Sequence, residues 1–225
     1  MKKLFIALNL FLSLIFVTSV FSQNITNTLG LGGVFKIKDA SNDFLKINQS
    51  TGEVNVLNSL RLENTLSPTT GVIYFGANRF MHNFGFSNTF LGENSGNFST
   101  NGAYNTALGF NSLSSNSSGV QNTAIGGLAL VSNTTGDDNT SVGLNTMLLN
   151  TTGNQNTALG SQSLFNNSAG SYNTGLGGSS LNSNTTGSQN TAVGFNSLLS
   201  NSTGSNLTAV GYNSLRSNTT GIQNV

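Results

Sequence analysis

The sequence predicts an all-β fold, a parallel β-roll or β-solenoid built from 17-residue coils and preceded by short strands. Three observations carry that expectation. A glycine returns at Gly85, Gly102, Gly119, Gly136, Gly153, Gly170, Gly187, Gly204 and Gly221, always 17 residues apart, which gives eight complete units and the start of a ninth. Drifting low-complexity sequence would slip by a residue somewhere, so the constant period means that each unit holds the same place in a structure. Each unit contains a short β-prone stretch such as "NTAVG" and a turn such as "SNTTG", whose side chains can hydrogen-bond their own backbone. Gly, Asn, Ser and Thr fill most positions, and all are poor residues for a helix interior.

The columns of the repeat define the coil. The fifth position is Thr throughout: Thr89, Thr106, Thr123, Thr140, Thr157, Thr174, Thr191 and Thr208. Two residues on stands an aliphatic, Leu91, Leu108, Ile125, Val142, Leu159, Leu176, Val193 and Val210, followed every time by Gly. A second apolar column is Leu113, Leu130, Met147, Leu164, Leu181, Leu198 and Leu215. An Asn column follows it: Asn116, Asn133, Asn150, Asn167, Asn184, Asn201 and Asn218. Two apolar residues per unit make no core alone, but stacked in register they become continuous ladders. One unit then reads as a strand, a bend, a shorter strand around the Leu and a turn. Eight coils at about 4.8 Å each make a rod of roughly 40 Å.

Alternation along the strand puts Thr and the aliphatic on one face and Asn, Ala and Gly on the other. The expectation is that the aliphatic points into the coil and takes Thr with it. The outer face would then be the small one, Ala107, Ala124, Ser141, Ala158, Gly175, Ala192 and Ala209. A flat face of small residues suits close approach by another chain, and a homotrimer of parallel chains is expected. Leu207, which stands where the other units have Asn, would fall on that outer face.

Four segments follow one another in the reading. Residues 1–22 form a secretory signal peptide: "MKK", the apolar run "LFIALNLFLSLIFV", then Val20 and Ser22 as small residues before a cut at Gln23. Residues 23–66 form a strand-rich stem segment, with "FKIK", "DFLKIN" and "EVNVL" as strands and "QSTGE" as a hairpin turn. Residues 67–84 are a junction, marked by Pro68, and an aromatic-rich cap over the open end of the coil stack, whose bare strand edge would otherwise invite aggregation. Residues 85–225 are the array, whose first unit lacks the later Leu and Asn columns.

Composition excludes several classes of function. Only 7% of residues are charged, and Arg216 is the one basic side chain after residue 84, so there is no basic stripe for nucleic acid. After signal cleavage no later apolar run is long enough to span a bilayer. With no Cys and a single His, His82, no zinc site or thiol nucleophile is expected, nor any cofactor. His82 reads as a cap-region side chain. Asp137 and Asp138 in "GDDN" suggest calcium, but calcium repeats place acids in every unit, and seven of these eight have no Asp. Asn-x-Ser/Thr triplets abound and arise from composition.

The repeated "NTAVG" and "NTAIGG" are similar to the head repeats of trimeric autotransporter adhesins, which implies a left-handed parallel β-roll assembled as a trimer on a bacterial surface. The longer unit resembles arrays in tail-fibre-like and secreted surface proteins, which implies a C-terminal self-cleaving chaperone domain of the endosialidase type. The period here is longer than in the adhesin heads, and no stalk, anchor or chaperone segment is present, so a fragment of a longer protein is expected. The resemblance implies a non-catalytic secreted or surface-displayed fibre segment whose ligand is a host surface, matrix or glycan. Contact would fall on the varied positions after the strand glycine, Phe110, Leu128, Leu144, Ser161, Gly178, Phe195 and Tyr212, together with Tyr104, Phe165, Tyr172 and Arg216. The alternatives are a spacer for a missing enzymatic or chaperone domain, an Asn-rich disordered tract, and an ice-binding solenoid. Against the last, an ice face wants two Thr on one side of each strand, whereas here the residue two after Thr is aliphatic and Thr is expected inside.

Overall fold

The computed structural model of the chain describes residues 34–38, 43–48, 53–56 and 72–224. The expected signal peptide and the junction around Pro68 lie outside the described residues, as do the turn residues 49–52. The chain divides into two compact units, Met1–Arg61 and Leu62–Val225. In the first, β1 (Val34–Lys38), β2 (Asp43–Asn48) and β3 (Glu53–Val56) form an antiparallel sheet in chain order, on the three stretches read as strands.

The second unit is the coil stack. Its strands are β4 (Ile73–Phe75), β5 (Asn78–His82), β6 (Thr89–Leu91), β7 (Thr106–Leu108), β8 (Thr123–Ile125), β9 (Thr140–Val142), β10 (Thr157–Leu159), β11 (Thr174–Leu176), β12 (Thr191–Val193) and β13 (Thr208–Val210). They form one ten-stranded sheet in sequence order. β6 to β13 are parallel and in register, Thr on Thr and aliphatic on aliphatic. The hairpin β4–β5 joins antiparallel to β6 and covers that end, where the aromatic cap was expected. No helix occurs among the described residues. The fold is therefore a parallel β-solenoid with a 17-residue coil.

Each coil turns sharply because several residues take the left-handed conformation. These are the third position (Tyr104, Tyr172), the tenth (Asn111, Gln162) and the twelfth, the Leu column itself, where Leu113 has φ 54° and Leu164 has φ 51°. The expected shorter strand around Leu is therefore a turn, since a residue at positive φ cannot continue an extended strand. It still stacks: Leu113 N–H donates to Ala129 O at 3.0 Å and Leu164 N–H to Ser180 O at 2.9 Å. A left-handed Leu costs on the order of 1 kcal/mol. Burying its side chain returns about 1.5–3 kcal/mol, and Leu113, Leu130, Met147, Leu164, Leu181 and Leu198 are fully buried.

The two strand faces are the reverse of the expectation. Ala107, Ala124, Ser141, Ala158, Ala192 and Ala209 are buried, while the Thr and aliphatic columns are exposed or half-buried. The reason is room. Opposite the strand, Ser163 Oγ donates to Gly175 O at 3.0 Å and Ser197 Oγ to Ala209 O at 3.0 Å. A Cβ placed on Gly175 would already lie 2.5 Å from Ser163 Oγ and 2.9 Å from Ser180 Oγ. A coil that can barely take a methyl there has no space for Val or Thr.

Polar ladders fill the rest of the interior, as buried polar groups require. The Asn before each Thr, assigned to the outer face from sequence, is buried. Asn139 Nδ2 donates to Gly153 O at 2.8 Å, and Asn139 Oδ1 accepts from Asn156 N–H at 3.0 Å. The Asn column recognised in sequence makes a second ladder: Asn150 Nδ2 donates to Asn133 Oδ1 at 2.8 Å, and Asn184 Nδ2 to Asn167 Oδ1 at 2.8 Å. A third, only part-buried, runs along the second position at the edge of the coil. Asp137 Oδ1 accepts from Val120 N–H at 2.8 Å, and Asp137 N–H donates to Asn154 Oδ1 at 2.7 Å. Asp137 is thus a rung.

The first coil replaces both missing columns. Phe90 stands in the Ala column, and its buried ring fills the volume that Leu fills elsewhere, against Gly96 in the Leu column. Thr100 takes over from the absent Asn, its Oγ1 accepting from Gly102 N–H at 2.9 Å and from Asn116 Nδ2 at 3.3 Å.

Leu207 is fully buried rather than on the outer face. Its N–H still reaches Asn190 Oδ1 at 3.1 Å, but it offers nothing to the next coil, whose Asn224 is exposed. Leu207→Asn restores a donor toward Gly221 O. We expect it to raise stability by about 1 kcal/mol, read as a higher denaturation midpoint at unchanged m-value.

Candidate interaction surface

The solvent-facing side of the parallel sheet is flat because its columns are. Along it run the Thr hydroxyls and, beside them, Leu91, Leu108, Ile125, Val142, Leu159, Leu176, Val193 and Val210. Leu159 is 51% exposed and Val210 69%. Eight strands at about 4.8 Å make a strip roughly 34 Å long. No charged side chain stands in either column.

The aromatic and basic side chains among the positions proposed from sequence as a contact surface fall in three separate columns. Phe110, Phe195 and Tyr212 stand at the ninth position, along the edge after the strand, and all are exposed. Phe195 and Tyr212 stack in parallel, ring centroids 5.9 Å apart, and Phe195 also leans over Gly178 of the coil before it. Tyr104 and Tyr172 stand at the third position, before the strand. They are four coils apart, and Tyr104 meets Phe86 edge-on at 5.3 Å. Phe165, half-buried, and Arg216, exposed, belong to the thirteenth position, beyond the next corner. The structure thus brings Phe195 and Tyr212 together and leaves the others as separate points. What sequence reasoning missed was the strip itself, because it had been turned inward. The clue was size: the sixth position admits only Ala, Gly or Ser, apart from Phe90, whereas the seventh accepts Leu, Ile and Val alike.

The cap holds the titratable cluster of this unit. Arg79 donates to the carbonyls of Asn94, Ser95 and Gly96, and its guanidinium lies 5.0 Å from the Phe98 ring centroid. Burial lowers its pKa from the ordinary value. His82 is buried between Phe90 and Phe98, at 4.8 and 4.5 Å between ring centroids. Its Nε2–H donates to Ser95 O at 2.8 Å, and its Nδ1 accepts from Phe84 N–H at 3.3 Å. Burial pushes its pKa down to about 4, aided by the Arg79 charge and opposed by the Ser95 hydrogen bond. The neutral ring is the form the fold favours, so its contribution is present above the ordinary value of 6.5 and is lost as pH falls from there through about 4. Among the described residues no three His, Asp or Glu side chains gather as metal ligands. Most of the Asn-x-Ser/Thr triplets of the array, those at Asn133, Asn150, Asn184 and Asn201 among them, have their Asn in the buried ladder.

No family model, no curated protein and no solved structure matches this chain.

Proposed function

We propose that the chain is a non-catalytic, secreted or surface-displayed fibre segment on the exterior of a bacterial cell, assembled from three parallel copies. The observation that supports this reading is the uncharged Thr and aliphatic strip, which turns a continuous row of Leu, Ile and Val side chains outward along the sheet. The strip, rather than the buried Ala column, is the surface on which copies pack. The count of three follows the resemblance to adhesin heads. Adhesion to a host surface, matrix or glycan is then the work of the non-repeating side chains at the edges, Phe110, Phe195, Tyr212, Tyr104 and Tyr172 among them.

The test is the mass of the mature chain by light scattering, expected at three times the monomer. Leu159→Lys with Val193→Lys places charges in the strip. We expect it to give a β-rich monomer, because both side chains already face outward. A monomeric wild-type chain would overturn the reading. One observation favours a second reading, an ice-binding face: the Thr column points to solvent, although each strand presents one Thr beside an aliphatic rather than two Thr. Thermal hysteresis of the purified chain decides it. The spacer alternative is decided by the gene sequence beyond Val225.

A further inference from the structure

We propose that the hairpin β4–β5 is an acid-released cap: a proton on His82 detaches it from the first coil while the coils below stay folded. His82 Nε2–H donates to Ser95 O of the first coil and its ring lies between Phe90 and Phe98 of that coil, while its Nδ1 accepts the Phe84 N–H on the segment that leads from the hairpin into the coil. A second ring proton turns the Nδ1 acceptor into a donor facing a donor. It also adds a cation where Arg79 already sits over the Phe98 ring. The charged groups around His82 are Arg79, on the same strand, and Glu93, which follows β6. Glu93 is the only acid in residues 72–136, and its carboxylate is engaged at 2.7 Å by the Asn78 amide on the exposed side. Among the described residues of this unit no counter-ion therefore meets a charged His82. The coils below hold themselves by backbone bonds and Asn ladders and carry no other histidine; their two acids, Asp137 and Asp138, lie outside the buried core, and a protonated Asp137 still offers an acceptor oxygen to Val120 N–H, so the same acid leaves the coils intact.

Hydrogen exchange on the full chain tests this, at pH 7 and pH 4 with rates corrected for intrinsic pH dependence. The reporters are the amides of Gly92 and Asn94, which donate to Phe80 O and Arg79 O across the junction. Their protection is expected to fall at least tenfold at pH 4, while that of Thr140 and Thr157 stays unchanged. His82→Gln keeps a donor and an acceptor but cannot charge, and should hold the cap closed at pH 4. Glu93→Gln should release it as the wild type does. Equal protection of the wild-type reporters at both pH values overturns the proposal, and so does undiminished release in His82→Gln. Should that variant fail to fold, the His82 ring-proton titration in the wild type decides. Its midpoint must coincide with that of release, and a separate midpoint refutes the mechanism.

Discussion

Gly177→Ala and Gly178→Ala, one residue apart, are expected to differ by several kcal/mol. Gly177 closes β11 at φ +128°, a region that only glycine occupies without strain. A Cβ there would stand 2.7 Å from both the carbonyl carbon and the oxygen of Gly194 in the next coil. Those are backbone atoms, and Gly194 is stacked in the same way, with its own Cβ position 2.7 Å from the Gly211 carbonyl carbon. Relief at one coil therefore displaces the next. The strain and the clash together cost about 4 kcal/mol or more. Because a solenoid is stabilised between neighbours, the damage should split the stack at that coil. Thermal melting by circular dichroism is expected to show a large fall in midpoint or two separate transitions. At Gly178 a Cβ would press only on the Phe195 ring, at 3.2 Å, with Ser161 O at an ordinary 3.9 Å. That ring can move, and the change should stay within about 1 kcal/mol. Equal effects at the two sites would mean that coil spacing is not what the strand-end glycine secures.

The period and the parallel register were legible because each rests on position alone. Any structure in which Thr157 stacks on Thr174 must repeat every 17 residues, and the chain does so. The direction of the strand faces was not legible from alternation, which is satisfied equally well with Val193 inside or outside. The deciding quantity is the width of the coil, set by left-handed residues such as Leu113 and Gln162 that no simple propensity assigns to a turn. With the coil that narrow, Ala and Ser must be inside, and Thr and the aliphatic face outward. The same inversion hid the candidate surface. It also moved Leu207 from a tolerated surface variation to a missing rung. The buried Asn before each Thr was visible as a constant letter, but its role depends on the crowded carbonyl of the next coil's first glycine. The edge aromatics were found because they fail to repeat, although nothing in the sequence showed that Phe165 and Arg216 lie around a corner from them.

The inner Asn ladder gives the other large expected effect, and Asn156 is the rung to test. Its Nδ2 donates to Gly170 O at 2.8 Å and to Asn139 Oδ1 at 3.1 Å, and its Oδ1 accepts the Asn173 backbone N–H at 2.9 Å. Asn156→Ala leaves that N–H buried without a partner and opens a small void. A cost of about 3 kcal/mol is expected. Asn156→Asp keeps the shape and the acceptor but removes the donor. Its carboxylate would face Gly170 O and Asn139 Oδ1, both acceptors, in a stack with no cation within reach in that ladder. A buried, unpaired charge costs more than the void, so Asp should be worse than Ala at pH 7. The order should reverse in acid. The fold raises the pKa of such a carboxyl, so its penalty is present at neutral pH and fades as the pH falls and the protonated form regains an O–H donor. Denaturation of both variants at pH 7 and pH 4 measures this. Only a crossing of the two stabilities is compatible with a rung that works by donating to the carbonyl ahead of it. If Ala and Asp lose equally at both pH values, Asn156 acts by volume alone, and the ladder is packing rather than hydrogen bonding.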